Sequence, residues 1–187
     1  MPFQLKEATI ARKLEFLSGR FHTKQALTAL GDIRATETIP IHKNRSPIWP
    51  HGVTGSISHT HIYAGAAVVK TKDAQGIGFD IEHVFSKDLK EKIKYLICSP
   101  NEWDSIQISE KIDDCLKLTL IYSAKEAIYK CLSPITNVFI DFQDVSITEL
   151  NLISSTFSAR LNSPFSLRIE SKTVPEGSFA INNDTVY

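Results

Sequence analysis

Apolar residues recur at helical spacing in two long segments, residues 8–30 and 113–132. In the first segment they form a stripe of the kind that usually packs on a core. Its members are Ile10, Leu14, Leu17, Phe21, Leu27 and Leu30. Gly31 suits the position just past the end of this helix. Pro134 predicts the end of the second helix, because proline lacks the backbone N–H that a helix interior requires.

A shorter amphipathic helix is predicted over residues 86–97, with lysines outside its apolar side. This basic surface suits an acidic partner protein, although solubility alone would explain it equally well. Ser99 and Pro100 then have the form of a helix start, and Glu102 stands where it can complete a capping box. We therefore expect a structural role for Glu102.

Strand patterns occupy much of the remaining chain. Residues 52–61 and 63–69 read as two strands, and in residues 76–82 Ile77, Phe79 and Ile81 alternate with Gly78, Asp80 and Glu82. Later strand-like runs cover 138–142, 145–148, 157–161, 165–169 and 178–181. The pattern predicts an α+β protein whose helices pack on antiparallel strands. The polar turn at 70–75 places a boundary between an N-terminal part, 1–75, and a C-terminal part, 76–187.

Composition narrows the possible functions. The 187 residues carry 21 basic and 21 acidic side chains, so the formal net charge is zero. This balance argues against bulk nucleic-acid binding, which needs a basic surface. The three cysteines are odd in number and form no C-x-x-C pair, which argues against a disulfide framework or a zinc site. We find neither an apolar leader nor a bilayer-length apolar run, and expect a cytoplasmic protein without a membrane segment.

Asp80 and Glu82 point to metal chemistry. On one face of a strand the two carboxylates repel each other unless a cation lies between them. Mg²⁺ prefers oxygen ligands and usually keeps substrate phosphates or waters as its other ligands. The pair therefore resembles half of a Mg²⁺ site, although an ordinary acidic strand face would carry the same residues.

The helix at 113–132 offers the missing groups. Glu126 and Lys130 are four residues apart and share one helix face, and Lys125 flanks that face. They would supply a third carboxylate and two cations able to reach phosphate oxygens. The alternative is a surface Glu–Lys pair that contributes only a few tenths of a kcal/mol, roughly.

Further candidate phosphate ligands lie in the N-terminal part. Lys13, Arg20 and Lys24 follow nearly one line on the first helix, beside Arg12. Arg45 occupies a proline-rich loop, and Ser58 and His59 follow the bend offered by Gly55. These last two side chains are able to donate hydrogen bonds to a phosphate. A solvated helix face and a packed histidine are the alternatives that the sequence leaves open.

With these residues in view, the chain resembles the 4′-phosphopantetheinyl transferase family, and within it the Sfp-type branch represented by component D of enterobactin synthetase. The matching motifs are R-K-L-E-F from Arg12, G-R from Gly19, R-S-P-I-W-P from Arg45, G-S-I-S-H from Gly55, G-F-D-I-E from Gly78 and S-A-K-E-A-I-Y-K from Ser123. Phe79 is bulkier than the usual residue, and Tyr122 stands where Phe or Trp is usual. Neither departure affects a charged group.

The resemblance implies a single-chain pseudodimer of two similar lobes that works as a monomer, with coenzyme A in the cleft between them. Coenzyme A would be the donor and an apo carrier protein the acceptor. The resemblance assigns Mg²⁺ to Asp80, Glu82 and Glu126, and neutralisation of the attacked phosphate to Lys125 and Lys130. The groups that would hold the 3′-phosphate and the rest of the nucleotide are Arg12, Arg20, Arg45 and His59, with Ser58 beside them.

The implied reaction is attack by a carrier serine on the phosphate attached to pantetheine, which releases 3′,5′-ADP. Glu126 is the first candidate for the general base, and a metal-bound water is the alternative. The expected setting is siderophore or other secondary-metabolite synthesis. A holo-acyl-carrier-protein synthase of fatty-acid synthesis and a non-catalytic module that binds coenzyme A or a carrier are the competing functions.

Overall fold

The computed structural model describes residues 5, 7–32, 34, 39–42, 46–136, 138–162 and 175–187. Two predictions, Arg45 and the strand at 165–169, lie outside these residues. Contacts divide the chain into two compact units. Unit 1 comprises Met1–Ile81 and Lys130–Ile135, and unit 2 comprises Glu82–Tyr129 and Thr136–Tyr187. Both units contain helix and antiparallel strands, so the α+β class is confirmed, while the boundary at residue 75 stays a prediction.

The described part of unit 1 is built from one helix, one hairpin and the residues of a later helix that belong to it. Helix α1 (Ile10–Ala29) starts at the N-cap Thr9, whose side chain accepts a hydrogen bond from the Arg12 N–H. It packs on strands β1 (Val53–His59) and β2 (Ala64–Lys70), which pair antiparallel along their full length. Gly31 follows the helix at φ +76°, a left-handed conformation that glycine adopts readily. The predicted end of this helix is therefore confirmed.

Helix α1 turns a different side to the strands from the one its apolar pattern suggests. Its buried residues are Gly19, Thr23 and Leu27. A side chain at residue 19 would lie 2.8 Å from Cγ2 of Ile57, so glycine is what allows this close approach. The predicted stripe is largely on the surface instead. Its exposed members are Ile10, Leu14, Leu17 and Phe21.

The predicted strand at 76–82 is largely absent. Only strand β3 (Glu82–His83) is regular, and it belongs to unit 2. Side-chain hydroxyls bind the preceding backbone in place of a neighbouring strand. Ser56 Oγ accepts from the N–H of Phe79 at 3.0 Å, and Ser58 Oγ accepts from the N–H of Ile81 at 3.2 Å. The segment is thereby fixed along β1 without forming a ladder.

Among its described residues, unit 2 contains the helices α2 (Lys87–Ile97), α3 (Pro100–Ser105) and α4 (Asp114–Thr136), and residues 130–135 of α4 belong to unit 1. Its larger sheet has strands β4 (Gln107–Ile108), β5 (Val145–Asn151), β6 (Thr156–Leu161) and β7 (Glu176–Ser178), in that order. The predicted antiparallel pairing is confirmed for β5, β6 and β7, whereas β4 is parallel to β5. A smaller sheet joins β3 to β9 (Thr185–Val186) and β8 (Ile181–Asn182).

Two local predictions in this region are wrong. Helix α4 continues through Pro134 to Thr136, because a proline in the last turn removes one hydrogen bond from a helix that is already ending. The run at 138–142 is not a strand but leads into a 3₁₀ turn, Phe142–Asp144, capped by Asp141. Among the described residues, no helix combines the length and the apolar character that crossing a membrane requires.

Candidate functional site

Arg12, Glu15 and His59 form a hydrogen-bonded cluster in unit 1. Arg12 Nη1 lies 2.5 Å from Nε2 of His59 and 3.0 Å from Oε2 of Glu15. Since Arg12 donates, Nε2 is the acceptor and the ring proton lies on Nδ1, 3.6 Å from Glu15 Oε2. Burial first, and then the charge of Arg12, lower the pKa of His59. His59 is therefore neutral at pH 7, and Arg12 supplies the positive charge of the cluster.

A cavity of about 260 Å³ lies next to this cluster, also within unit 1. Arg12, Arg20 and His59 line it on the polar side, and Phe16 and Ile57 are among its apolar walls. The Arg20 guanidinium lies over the Phe16 ring at 4.5 Å, and burial lowers the pKa of Arg20. Its Nε is buried with no hydrogen-bond partner among the described residues. The cavity thus holds donors that an anionic ligand would satisfy.

Asp80 is the acidic centre of a second cluster in unit 1. Its Oδ1 accepts hydrogen bonds from Ser58 Oγ at 2.9 Å and from Lys130 Nζ at 2.5 Å. Lys130 also donates to Ser58 Oγ at 3.2 Å. The other oxygen of Asp80, Oδ2, is buried and has no partner within the described part of the chain. An orphaned carboxylate oxygen of this kind is a suitable ligand for a cation.

Lys125 is buried in unit 2 and has no donor left for a phosphate. Its Nζ donates to Glu102 Oε2 at 2.8 Å, to the Ile97 carbonyl at 2.7 Å and to the Phe142 carbonyl at 2.9 Å. An ammonium has three N–H groups, so these contacts use all of them. The carboxylate of Glu102 does not close the predicted capping box. Ser99 caps the helix through the Glu102 N–H, but the side chain points to Lys125 and the Ile147 N–H.

Glu126 lies beside Lys125 on α4 and lines a second cavity, of about 290 Å³, within unit 2. Tyr129, Phe139 and Ile140 give this cavity a mainly apolar wall. The ring of Tyr129 meets that of Phe139 edge to face, with centroids 6.1 Å apart. A carboxylate that lines a mainly apolar cavity can act on a reacting group that the cavity holds.

The three predicted metal ligands belong to different units, Asp80 to unit 1 and Glu82 and Glu126 to unit 2. In the described ranges, no three Asp, Glu, His or Cys side chains are grouped as ligands of a metal ion. Lys130 forms an ion pair with Asp80. The orphaned Oδ2 of Asp80 and the all-carboxylate donor set nevertheless suit Mg²⁺. Convergence of the three carboxylates stays a prediction.

Sequence reasoning missed the partners of the predicted residues. Glu15 orients Arg12 and His59. Ser58, predicted as a phosphate ligand, also donates a hydrogen bond to Asp80. Glu102 forms an ion pair with Lys125. Glu15 and Ser58 stand inside recognisable motifs, so the signal for them was present. The pairing of Glu102 with Lys125 gave no such signal, because the two residues are 23 positions apart. The place of Glu102 at a helix start also explained a carboxylate there without any further partner.

Comparison with known protein families gives two matches that together span most of the chain. Residues 2–69 match the model of the 4′-phosphopantetheinyl transferase N-terminal domain. Residues 76–182 match the model of the 4′-phosphopantetheinyl transferase superfamily. The second match alone covers more than half of the chain.

Individual relatives give the same picture. Enterobactin synthase component D of Escherichia coli O157:H7 is 35% identical over 157 residues, which are 80% of this chain and 69% of the relative. The protein of that name from Salmonella typhi is 32% identical over 183 residues, 98% of this chain and 74% of the relative. The 4′-phosphopantetheinyl transferase Svp of Streptomyces mobaraensis is 30% identical over 151 residues, 80% and 59% of the two chains.

Proposed function

This chain belongs to the 4′-phosphopantetheinyl transferase superfamily, and on that premise we propose that it transfers 4′-phosphopantetheine from coenzyme A to a serine of an apo carrier protein. The observation that carries the proposal is the Ser58–Asp80–Lys130 cluster. It brings together one side chain from each of three matched motifs, and the buried carboxylate of Asp80 accepts hydrogen bonds from the other two side chains. We expect the carrier to serve siderophore or other secondary-metabolite synthesis, because the relatives include enterobactin synthase component D.

The nucleotide of coenzyme A would occupy the 260 Å³ cavity of unit 1. Arg20 offers a buried Nε–H that lacks a partner among the residues described, and Arg12 offers a guanidinium already oriented by Glu15 and His59. Guanidinium groups suit phosphate because they donate two parallel hydrogen bonds. We assign the 3′-phosphate to Arg20 and Arg12, with His59 as a neutral neighbour, and keep Arg45 as a further candidate.

Mg²⁺ would be held by Asp80, Glu82 and Glu126. When bound, it would neutralise the diphosphate and stabilise the charge that develops on the leaving oxygen. In the structure Lys130 neutralises Asp80 at 2.5 Å. Lys130 is a quarter exposed, whereas Asp80 is nearly inaccessible, so the lysine has the freedom to exchange the carboxylate for a substrate phosphate. That exchange would let one cation stabilise the site both before and after the substrate binds.

In the proposed reaction, the serine oxygen forms a bond to the phosphorus attached to pantetheine. The bond from that phosphorus to the bridging oxygen breaks, and 3′,5′-ADP leaves with the electron pair. Glu126 accepts the serine proton. Such transfers depend mainly on positioning and charge neutralisation. Lys130 would contribute the neutralisation, and the mainly apolar cavity beside Glu126 would hold the pantetheine arm away from water.

Intact-mass measurement tests the proposal directly. The purified chain is incubated with coenzyme A, Mg²⁺ and an apo peptidyl, aryl or acyl carrier domain, and the carrier is expected to gain the mass of phosphopantetheine. Two controls should show no gain of mass on the carrier. In one the acceptor serine of the carrier is replaced by alanine, and in the other the enzyme carries Asp80→Asn. Modification of fatty-acid carrier alone would indicate a holo-acyl-carrier-protein synthase. Binding of coenzyme A without any transfer would overturn the proposal in favour of a non-catalytic module.

A further inference from the structure

The ion pair between Glu102 and Lys125 is the most deeply buried charged contact described in unit 2. The side chains are 3% and 1% exposed, and the Nζ–Oε2 distance is 2.8 Å. Charges removed from water in this way are costly unless every donor and acceptor has a partner. Here all three ammonium donors are used, and Glu102 Oε1 accepts from the Ile147 N–H at 2.8 Å. The pair is thus fully satisfied by the protein itself.

The pair joins five elements of unit 2 at one point. Lys125 reaches from α4 to the carbonyl at the end of α2 and to the carbonyl of Phe142 in the 3₁₀ turn. Glu102 lies on α3 and reaches strand β5 through Ile147. The Lys125 ammonium therefore ties α4 to the end of α2, to α3 and to the 3₁₀ turn at one point.

The position of Lys125 gives this junction a functional consequence. Glu126 is the next residue, and both residues line the 290 Å³ cavity together with Phe142. Adjacent residues on a helix are separated by about 100° of rotation, so fixing the direction of one fixes the direction of the other. A rotation or a shift of α4 at Lys125 would move the Glu126 carboxylate by a similar amount.

We propose that Glu102 and Lys125 are positioning residues, which fix α4 so that Glu126 points to the reacting groups, and that Lys125 does not contact the transferred phosphate. The proposed effect on turnover rests on the transferase function proposed above. The proposed fixing of α4 rests only on the contacts of Glu102 and Lys125. It separates the two lysines of the S-A-K-E-A-I-Y-K motif. Lys130, a quarter exposed, is the one available to substrate, and Lys125 is structural.

A double-mutant cycle on thermal stability tests the structural part. Lys125→Met leaves a buried carboxylate without its cation, and Glu102→Gln leaves a buried ammonium without its anion. Each single change is expected to lower Tm by roughly 10 °C. In the double variant no charge remains buried at this contact, and the glutamine still accepts from the Ile147 N–H. We expect its Tm to return to within about 3 °C of the wild type.

The matched control is Lys117→Met on the same helix. Lys117 donates to the Trp103 carbonyl at 2.7 Å and has no contact with Glu102 among those described. Adding Glu102→Gln to Lys117→Met should lower Tm further rather than restore it. If Glu102→Gln fails to restore the Tm of Lys125→Met, or restores that of Lys117→Met equally, the pair does not fix α4 and the proposal is wrong.

Turnover and coenzyme A binding test the functional part. Lys125→Met should reduce the transfer rate at least about tenfold, because small displacements of catalytic groups are costly, and adding Glu102→Gln should recover most of that loss. The Kd of coenzyme A in the double variant, measured by calorimetry, should stay within about threefold of the wild type. A double variant with normal Tm that remains tenfold slower, or binds coenzyme A tenfold more weakly, would mean that Lys125 acts on the phosphate itself. Failure of the wild type to transfer would defeat the proposed function, and the Tm cycle would still decide whether the pair fixes α4.

Discussion

At the scale of single residues, His59 shows how neighbours set a side chain's charge. Its burial and the positive charges of Arg12 and Lys130 lower its pKa, and they outweigh Glu15 and Asp80, which act in the opposite direction. The neutral ring accepts a hydrogen bond from Arg12 and leaves that guanidinium charged and oriented. Protonation of His59 would place two cations at 2.5 Å from each other and break this arrangement.

Stability should accordingly fall as the medium becomes acidic. In the unfolded chain His59 binds its proton near the ordinary histidine pKa of 6.5, and in the folded chain it does so only at lower pH. The unfolded state therefore binds more protons in this window, so the contribution is complete above about 6.5 and is lost as pH falls through the folded pKa. Urea unfolding at about pH 7.5 and about pH 5 should show a larger loss for the wild type than for His59→Gln. Equal losses would mean that His59 is not neutral in the folded protein.

Arg20 is the residue whose environment most clearly requires an anion. Arg20→Met keeps the apolar contact with Phe16 and removes the buried donor. We expect it to weaken binding of coenzyme A by roughly 10- to 100-fold, and binding of the 3′-dephospho analogue much less. Calorimetry with the two ligands measures the difference. The same loss for both ligands would place the 3′-phosphate elsewhere.

At the scale of elements, α1 separates local pattern from tertiary packing. Gly19 lies on the buried side, where the hairpin comes too close for a larger side chain, and Thr23 is buried on the same side. The buried hydroxyl of Thr23 has a hydrogen-bond partner, since Oγ1 donates to the Gly19 carbonyl at 2.8 Å. Leu27 then packs with Ile39 and Val53 in the core of unit 1. A helix can thus bury the face that carries small residues and leave much of its apolar face on the surface.

Two leucines of this helix provide a matched test of that orientation. Leu27 is 0% exposed and Leu17 is 51% exposed. Leu27→Ala should lower the free energy of unfolding by about 2–5 kcal/mol, and Leu17→Ala by no more than about 0.5 kcal/mol. Urea titration of both variants gives the comparison. A large loss for Leu17→Ala would show that the apolar stripe is covered in solution.

Helix α2 presents a surface that suits an acidic carrier protein. Leu89, Tyr95 and Leu96 are exposed along a helix rich in lysine, and Lys90 is already paired with Glu91 and Asp114. The exposed Lys87 and Lys92 are the cations we expect to meet the partner. Exposed ion pairs are individually weak but steer association.

Reversing these two charges tests this surface. Lys87→Glu/Lys92→Glu should raise the KM for the carrier by roughly tenfold and leave the KM for coenzyme A unchanged. The effect should shrink as salt concentration rises, because salt screens exposed charges. An unchanged KM for the carrier at low salt would locate the docking surface on another element.

At the scale of the whole molecule, the chain consists of two units that share helix α4, with residues 114–129 and 136 in unit 2 and 130–135 in unit 1. The motif that starts at Ser123 is therefore divided between them, because Lys125 is held in unit 2 and Lys130 in unit 1. Each lysine of the motif thus takes its ion-pair partner from its own unit.

The expected assembly is a monomer, since the family resemblance implies that one chain supplies both lobes. Gel filtration should give an apparent mass near the 20.9 kDa of the chain, independent of protein concentration. A mass about three times larger would indicate the trimeric architecture expected of a fatty-acid carrier synthase. Salt and coenzyme A should leave the elution volume unchanged.

Local patterns in the sequence were sufficient to predict the class of fold and most of the elements. Helix α2, the helix start at Ser99 and the end of α1 at Gly31 follow from local rules, namely apolar periodicity, capping side chains and the backbone freedom of glycine. The charged residues of the motifs were also visible, because carboxylates and cations in such spacing have a recognisable chemistry. These features depend on neighbours within a few positions of the chain.

The partners of these charged residues follow from tertiary packing and could not be predicted from local patterns. The family resemblance gives Lys125 and Lys130 the same role at the phosphate, yet Lys125 pairs with Glu102 and Lys130 pairs with Asp80. Residues 76–82, predicted as a strand, are likewise held largely by hydroxyl groups of β1 instead of a neighbouring strand. Pairings between residues far apart in the chain depend on which surfaces meet when it folds, and local spacing carries no information about that.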